Sequence, residues 1–358
     1  MVTKTKYNGT GLFKNSSLQD KNLPKEIEDV LVTTVNHAVS MNTKSVYNTG
    51  VNILNKCREE MGEEMNLPLS ERDILIFVGF CAKRGNKTST IRSYLSGIKK
   101  YHLAEGYRTF EYMTPLVKEV LEGHEKKGKV KTKGSKGKKV KRLKRLPCTL
   151  PVLKLIKFEL KLSNLDKDEK IMAWAASSLA FFGAFRMSEL LCKNEYEYST
   201  CDNLLKKDVK VCKPDSTGKE SVSIRIRNGK TSKGAEELVT VYATYDACCP
   251  VSAVKKLQVL NKDLPNDAPA FCSKQGKNFT CKRLNVILEL LTSDHFDSGK
   301  ISNHSFRAGL ISYFARLGHS EIDLKTIGRW SSRAYQHYIK LGRAKRHEMT
   351  VAASNIKS

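Results

Sequence analysis

The sequence has none of the apolar segments that mark secreted or membrane-spanning proteins. No apolar stretch of the signal-peptide kind stands near its start, and no run reaches the roughly 18 apolar residues that cross a bilayer. The longest apolar stretch, Ile171 to Phe185, contains two serines. We therefore expect neither a signal peptide nor a membrane span.

The ten cysteines lack the spacing of a metal site or of a disulfide framework. No pair is separated by two residues, no histidine stands at ligand spacing, and Cys248 and Cys249 are adjacent. Disulfide-rich and zinc-binding domains require regular pairs. This pattern predicts reduced thiols in an intracellular protein, with no bound metal.

Acidic residues are scarce beside basic ones: 37 Asp and Glu against 63 Lys and Arg give a formal charge of +26. Between Lys126 and Arg145 the chain has ten lysines, two arginines and no acid. Such a run predicts salt-dependent binding of polyanions. It is also typical of a solvated linker or a nuclear-import tract. Membrane-surface binding is less favoured, because no apolar face interrupts the charges.

Length and composition favour two globular domains: the chain has 358 residues, and 40% of them are apolar. No internal repeat is visible. The predicted division is a flexible arm (1–22), a helical domain (23–123), a basic linker (124–147), a second domain (148–345) and a tail (346–358). The predicted fold class is mainly α with a small antiparallel β-hairpin, an α+β protein.

The first domain shows apolar residues at helical spacing. A helix from Ser89 to about Ala104 places Ile91 and Leu95 inward. Ser70, with Asp73 three residues later, predicts the start of another helix. The outward positions of the Ser89 helix are basic: Arg92, Lys99 and Lys100. They form either an ordinary solvated face or a DNA-contacting one.

The second domain combines helices with a predicted hairpin. The segments TLPVLKLIKFEL and EKIMAWAASSLAFFGAF read as helices, and the second is apolar nearly all round, so it belongs to the core. Residues 221 to 228 and 237 to 243 alternate like strands around a Gly-Lys-Thr-Ser-Lys-Gly turn. That turn is not a phosphate-binding P-loop, because the first glycine is missing and no helix follows. Pro250 to Leu260 and Thr280 to Leu291 resume helix.

The stretch from His304 to Tyr338 predicts three short helices. Phe306, Leu310, Tyr313, Phe314 and Leu317 form the apolar stripe of the first, which Gly318 ends. Ser320 with Asp323 begins the second helix, and Gly328 ends it. Ser331 or Ser332 can cap the third, which carries Tyr335 and Tyr338. An imidazole, a guanidinium, an indole and two phenols then lie together, as suits attack on a phosphodiester, whose developing charge needs fixed donors.

These motifs resemble those of the tyrosine recombinase (phage-integrase-like) family. The match comprises His304-Ser305-Phe306-Arg307, then Gly328-Arg329-Trp330, then Tyr338-Ile339-Lys340. Upstream, Phe185-Arg186-Met187-Ser188-Glu189-Leu190 resembles the segment of the family's first arginine. The predicted hairpin resembles the one that carries the family's lysine, at Lys230 or its rival Lys233.

The resemblance implies a set of catalytic residues: Arg186, Lys230, His304, Arg307, Trp330 and Tyr338, with Glu189 in support. Tyr335 lies on nearly the same predicted helix face as Tyr338, so periodicity does not separate the two phenols. Trp330 stands where many members have histidine. His319, in a literal Leu-Gly-His, is interpreted as a loop residue between helices.

The activity implied is cutting and rejoining of double-stranded DNA through a 3′-phosphotyrosyl intermediate, without ATP, metal or other cofactor. The family also implies a homo-oligomer, dimeric on one site and tetrameric in synapsis. We predict a nuclear location. The cysteine-rich, lysine-rich composition and the Gly-Arg-Trp-Ser-Ser pattern resemble the recombinases of eukaryotic mobile elements, the Crypton and DIRS-like groups. Two alternatives are a catalytically silent DNA-binding descendant and a monomeric type IB topoisomerase. The predicted DNA-binding residues are Arg92, Lys99, Lys100, Lys126, Lys127, Lys129, Lys131, Lys133, Lys136, Lys138, Lys139, Lys141, Arg142, Lys144 and Arg145.

Overall fold

The computed structural model describes residues 24–38, 41–62, 65–107, 109–130, 144–227, 236–297, 299–330 and 336. The chain divides into two compact units, with the boundary between Lys139 and Val140. Within the described ranges, no helix has the length and apolar character to cross a membrane.

The first unit is helical in all its described elements. These are α1 (Lys25–His37), α2 (Met41–Met61), α3 (Glu71–Lys83), α4 (Thr88–Ala104) and α5 (Pro115–Val130). Its core contains Leu54, Phe77, Ile91, Leu95 and Leu121, all fully buried. The predicted inward face of the Ser89 helix is confirmed. The capping box at Ser70 and Asp73 is also confirmed, since each side chain bonds the other residue's backbone N–H.

Helices α2 and α4 touch through their backbones. A Cβ atom on Gly97 would lie 2.7 Å from Tyr47 Cα, and one on Gly50 would lie 2.7 Å from Tyr94 O. Atoms cannot approach this closely without displacement, so both positions require glycine. This contact fixes how the two helices cross.

Both ends of the predicted basic linker have regular structure. Helix α5 continues to Val130, so Lys126 and Lys127 are exposed helical residues and Lys129 lies in the same helix. At the other end, Lys144 and Arg145 form a short strand. Positions 131 to 143 lie outside the described residues.

The second unit carries the remaining elements. Its helices are α6 (Leu150–Leu162), α7 (Lys167–Phe182), α8 (Met187–Leu190), α9 (Pro250–Leu260), α10 (Cys281–Thr292), α11 (Ser305–Arg316) and α12 (Glu321–Gly328). Its strands are β1 (Lys144–Arg145), β2 (Val209–Cys212), β3 (Ser221–Ile226), β4 (Glu237–Tyr242) and β5 (Gly299–Lys300). The mainly helical α+β fold class is confirmed. Helix α7 is buried along most of its length, as its apolar sequence predicts.

The strands form one antiparallel sheet and one parallel pair. Strand β3 pairs with β4, with Ser221 opposite Tyr242, so the predicted pairing of the two arms is confirmed. Strand β2 adds a third, unpredicted strand in the order β2-β3-β4. Residues 228 to 235, which join β3 to β4 and include Lys230 and Lys233, lie outside the described residues. Strand β1 pairs in parallel with β5.

The predicted apolar stripe of α11 is wrong at Tyr313 and Leu317 but confirmed at Phe314, which packs against the core. Tyr313 and Leu317 are 53% and 59% exposed. The buried face consists instead of Phe306, Arg307, Leu310 and Ile311. This face packs on α7 and α12. In the last turn, Phe314 and Ala315 still pack against the core. The predicted capping box at Ser320 is confirmed, and the loop position of His319 is confirmed as well.

Candidate active site

A tight corner between α7 and α8 sets the position of Arg186. Helix α7 ends at Phe182 with Gly183 as its C-cap, and Ala184 then adopts a left-handed conformation with φ of 47°. A non-glycine residue in this region costs about 1–2 kcal/mol, so surrounding contacts must hold it. Phe185 is fully buried and anchors the corner. Arg186 is therefore placed by rigid elements on both sides.

Glu189 fixes both the backbone and the side chain of Arg186. The Arg186 Nη1 atom donates to Glu189 Oε1 at 2.7 Å, and its backbone N–H donates to Oε2 at 2.9 Å. The Glu189 side chain is only 5% exposed, against 19% for Arg186. A nearly buried carboxylate thus holds a guanidinium that still reaches the surface, as expected of a group that orients Arg186.

Arg307 enters the same corner from helix α11 and is 4% exposed. Its Nη1 donates to the carbonyl oxygen of Ala184 at 3.1 Å, and its Nη2 donates to the carbonyl of Gly328. The Trp330 ring packs over the guanidinium, 4.6 Å from centroid to Cζ, at cation–π distance. The carbonyls and the ring fix the Arg307 charge beside Arg186.

His304 occupies the N-cap position of α11, one turn before Arg307, and makes no side-chain capping bond. Desolvation and then the positive charges of Arg145, Arg186 and Arg307 lower the pKa of His304. A lowered pKa favours the neutral imidazole, which can accept a proton.

Arg329, which is not among the predicted catalytic residues, lies in this cluster. Its Nη2 donates to Glu189 Oε2 at 2.7 Å and to the Ala184 carbonyl at 3.2 Å. Its guanidinium stacks 4.8 Å from the Phe185 ring centroid, and its Nη1 lies 3.7 Å from Glu237 Oε2. Like Ala184, Arg329 is left-handed, with φ of 50°. Arg186 and Arg329 thus bond one nearly buried carboxylate, and Arg329 and Arg307 share the Ala184 carbonyl.

The first described residues of the second unit lie against the start of α11. The backbone N–H of Leu146 donates to Lys300 O at 3.0 Å, and that of Cys148 donates to Ser305 O at 2.8 Å. A Cβ atom on Gly309 would lie 1.7 Å from Cys148 O, so only glycine permits this approach. Arg145 is thereby held near His304.

Several predicted site residues have no described position. They are Lys230, Lys233, Tyr335 and Tyr338, together with the basic residues from Lys131 to Arg142. In the first unit, Lys99 is exposed and lies 5.3 Å from the Tyr112 ring centroid, whereas Arg92 and Lys100 are half-buried. No group of three or more His, Cys, Asp or Glu in the described part of the chain is arranged to hold a metal.

Comparisons with known proteins identify the fold. No model of a protein family matches the chain, and no curated protein matches it. Among solved structures, the post-cleavage complex of the XerH site-specific recombinase with palindromic difH substrate has a TM-score of 0.59 at 14% identity, over 98% of this chain and 95% of that chain. The Tn1549 transposon integrase in complex with transposon right end DNA gives 0.54 at 13% identity, over 90% and 97%. A lambda integrase dimer bound to a COC′ core site gives 0.54 at 12% identity, over 90% and 96%.

The chain is thus an α+β protein with the fold of the site-specific recombinases. These structural neighbours are tyrosine recombinases and integrases, so the fold implied by the sequence motifs is confirmed.

Proposed function

We propose that this chain is a site-specific DNA recombinase that cuts and rejoins DNA through a 3′-phosphotyrosyl intermediate. The observation that carries the proposal is the convergence of Arg186 and Arg307 at the Ala184 corner, with His304 beside them. Permanently charged forks, fixed before substrate arrives, suit a reaction whose transition state spreads negative charge over phosphate oxygens. The recombinase fold supplies the context for this chemistry.

In the proposed step, the Tyr338 phenol attacks the scissile phosphate. A bond forms between phosphorus and Tyr338 Oη, and the bond between phosphorus and the 5′-oxygen breaks. The products are a 3′-phosphotyrosyl linkage and a DNA strand with a 5′-hydroxyl. Arg186 and Arg307 stabilise the charge on the non-bridging oxygens. Attack by a different 5′-hydroxyl on this linkage would rejoin the DNA in a new arrangement and release Tyr338.

Two proton transfers accompany this step. A phenol with a pKa near 10 is a weak nucleophile at neutral pH, so a base must take its proton. His304 is our candidate, because its lowered pKa keeps the imidazole neutral. The leaving 5′-oxygen needs a proton in return, which we assign to Lys230, with Lys233 as the alternative. Trp330 packs the Arg307 guanidinium in place.

Double-stranded DNA is the proposed substrate. The XerH, Tn1549 and lambda neighbours are DNA-bound complexes, and this chain carries a formal charge of +26. We propose that the residues from Lys126 to Arg145 bind the phosphate backbone, with Arg92, Lys99 and Lys100 of the first unit. A homo-oligomer, a nuclear location and the mobilisation of an integrating element belong to the same proposal.

The test is covalent trapping on a nicked duplex, from which the short cleaved product diffuses away. Incubation with the wild-type chain should give a protein–DNA adduct that survives denaturant, and peptide mapping should place it at Tyr338. Tyr338→Phe removes one oxygen and almost no volume. It should abolish the adduct and leave duplex affinity within about twofold, since phosphate contacts elsewhere supply most of the binding.

Tyr335→Phe is the matched control, because it makes the same change three residues away. It should form the adduct at close to the wild-type rate. An adduct at Tyr335 would move the nucleophile to that residue. Specific duplex binding without any adduct would instead identify a silent DNA-binding protein, and relaxation of supercoils by a monomer would identify a topoisomerase.

A further inference from the structure

Arg329 is not one of the predicted catalytic residues, yet it makes several contacts within the arginine cluster. It is 9% exposed and bonds Glu189 Oε2, while Arg186 bonds Oε1 of the same carboxylate. It also shares the Ala184 carbonyl with Arg307, at 3.2 and 3.1 Å. Arg329 is therefore linked to Arg186 through the Glu189 carboxylate and to Arg307 through the Ala184 carbonyl.

The charge balance of the cluster depends on Arg329. A nearly buried carboxylate requires a cationic partner, and removal of such a partner is strongly destabilising. If Arg186 alone neutralised Glu189, this pair would present little positive charge to a phosphate. Arg329 bonds the other carboxylate oxygen, so the charge of Glu189 is shared between two arginines. With Glu237 counted as well, the three arginines outnumber the two glutamates by one charge. Arg186 is then oriented by Glu189 without being neutralised by it.

We propose that Arg329 is a positioning residue, which holds the Glu189 carboxylate and the Ala184 carbonyl so that Arg186 and Arg307 are fixed for phosphate binding. The inference rests on the proposed function. Arg329 acts through these two groups and need not touch the reacting atoms. Its left-handed backbone, directly after the end of α12, turns the side chain into the cluster.

A second route through β4 is the weaker one. Arg329 Nη1 lies 3.7 Å from Glu237, at the start of the strand that follows the lysine-bearing connection. Glu237 is 34% exposed, whereas Glu189 is 5% exposed. A 3.7 Å pair with a half-exposed carboxylate contributes less than the 2.7 Å pair with the nearly buried Glu189. We therefore infer that Arg329 acts on the positions of Arg186 and Arg307, and not on protonation of the leaving 5′-oxygen.

The test compares Arg329→Met, Arg329→Lys, Glu189→Gln and the double variant Arg329→Met/Glu189→Gln. Single-turnover adduct formation and duplex affinity are measured separately for each. Arg329→Met should slow cleavage by roughly 10- to 100-fold, as expected of small misplacements at an active site, and leave duplex affinity within about twofold. Arg329→Lys keeps the charge and should recover part of the rate. The double variant should be no slower than the slower single variant, because both changes break one linkage.

Arg283→Met is the matched control. Arg283 makes a two-pronged pair with Glu169 in the same unit, at 2.6 and 2.8 Å, near the start of α7. The cluster lies at the other end of this 16-residue helix, about 24 Å away at 1.5 Å per residue. Loss of this pair should lower the melting temperature without changing the cleavage rate of the folded protein.

A substrate with sulfur as the bridging 5′-atom separates the two routes, since its leaving group needs little protonation. Lys230→Ala, or Lys233→Ala, should regain cleavage with it, whereas Arg329→Met should not. Rescue of Arg329→Met, an unchanged rate on normal DNA, or additive effects in the double variant would each overturn the positioning role. If Arg329→Met does not fold, an unchanged rate in the nearly isosteric Glu189→Gln would overturn it. Absence of an adduct with the wild-type chain would instead refute the proposed function.

Discussion

At the scale of single residues, the cluster depends on two backbone conformations that side chains usually avoid. Ala184 and Arg329 both have positive φ and are not glycine. Each costs about 1–2 kcal/mol locally. The Ala184 carbonyl accepts bonds from two arginines, and the Arg329 side chain is buried among its partners. We infer that these contacts compensate the strain and make the corner a single, well-defined arrangement.

The pKa of His304 provides a test of the electrostatics of this corner. Positive charges on Arg145, Arg186 and Arg307 disfavour a further proton on the imidazole. Removal of one of them should therefore raise the pKa. Arg145→Gln should shift the NMR titration of the His304 ring to higher pH, and the acid limb of the cleavage rate should move in the same direction. Assignment among the eight histidines requires His304→Gln as a reference.

Lys144→Gln is the control for this shift. Lys144 is the neighbouring exposed residue of β1, and successive strand residues point to opposite faces. It is not among the charges that act on His304, so its loss should leave the titration unchanged. An equal shift in both variants would mean that the effect is one of net charge alone.

The sequence predicts which side chains form the described part of the candidate site, but not which of them bond to one another. Arg186, His304, Arg307 and Trp330 stand in motifs that can be read locally, and the structure brings them together at the Ala184 corner. Arg329 stands between two residues of such a motif, yet its role arises from a left-handed backbone and from a carboxylate 140 positions earlier. No periodicity encodes a contact of this kind. The only local signal was the glycine that ends α12 before it.

At the scale of helices and strands, the elements that the sequence predicts correctly are those specified by residues close together in the chain. The capping boxes at Ser70 and Ser320 and the helix Pro250–Leu260 depend on residues within a few positions, and the sequence predicts them correctly. Strand β1 has two residues and pairs with β5 more than 150 positions later, so its existence depends on a distant partner. The same dependence on partners explains why β2 was missed.

The contact between α2 and α4 leads to a stability prediction. Gly97→Ala would place its Cβ 2.7 Å from Tyr47 Cα, and because both are backbone-anchored, the helices must move apart. Overpacking of this kind costs about 1–3 kcal/mol. The free energy of unfolding of the first unit, from hydrogen exchange of α2 and α4 amides, should fall by that amount.

Gly79→Ala is the matched control in α3, where an added Cβ meets nothing within 4 Å. The better helix propensity of alanine should then raise stability by up to about 1 kcal/mol. Opposite signs for the two substitutions are expected. If Gly97→Ala also stabilised the unit, the backbone contact between α2 and α4 would be refuted.

At the scale of the whole molecule, charge is unevenly distributed. Twelve of the 63 basic residues lie between Lys126 and Arg145, where no acid accompanies them. The run begins in the last turns of α5 and ends in β1, and Cys148, three residues after β1, bonds Ser305 at the start of the His304 helix. Lys144 and Arg145 thus belong to the basic run, and the charge of Arg145 also acts on His304 in the candidate active site.

Replacement of the basic residues from Lys126 to Arg142 by Gln tests the run as a phosphate-binding segment. Each phosphate contact that is lost should reduce the slope of log affinity against log salt by about 0.9. Phosphate contacts carry no base information, so affinity should fall equally for cognate and unrelated duplexes, most strongly at low salt. Because Lys144 and Arg145 are retained, the pKa of His304 should stay at its wild-type value. Titration of both duplexes at several salt concentrations measures this, and a loss confined to the cognate duplex would mean that the run reads bases in a groove.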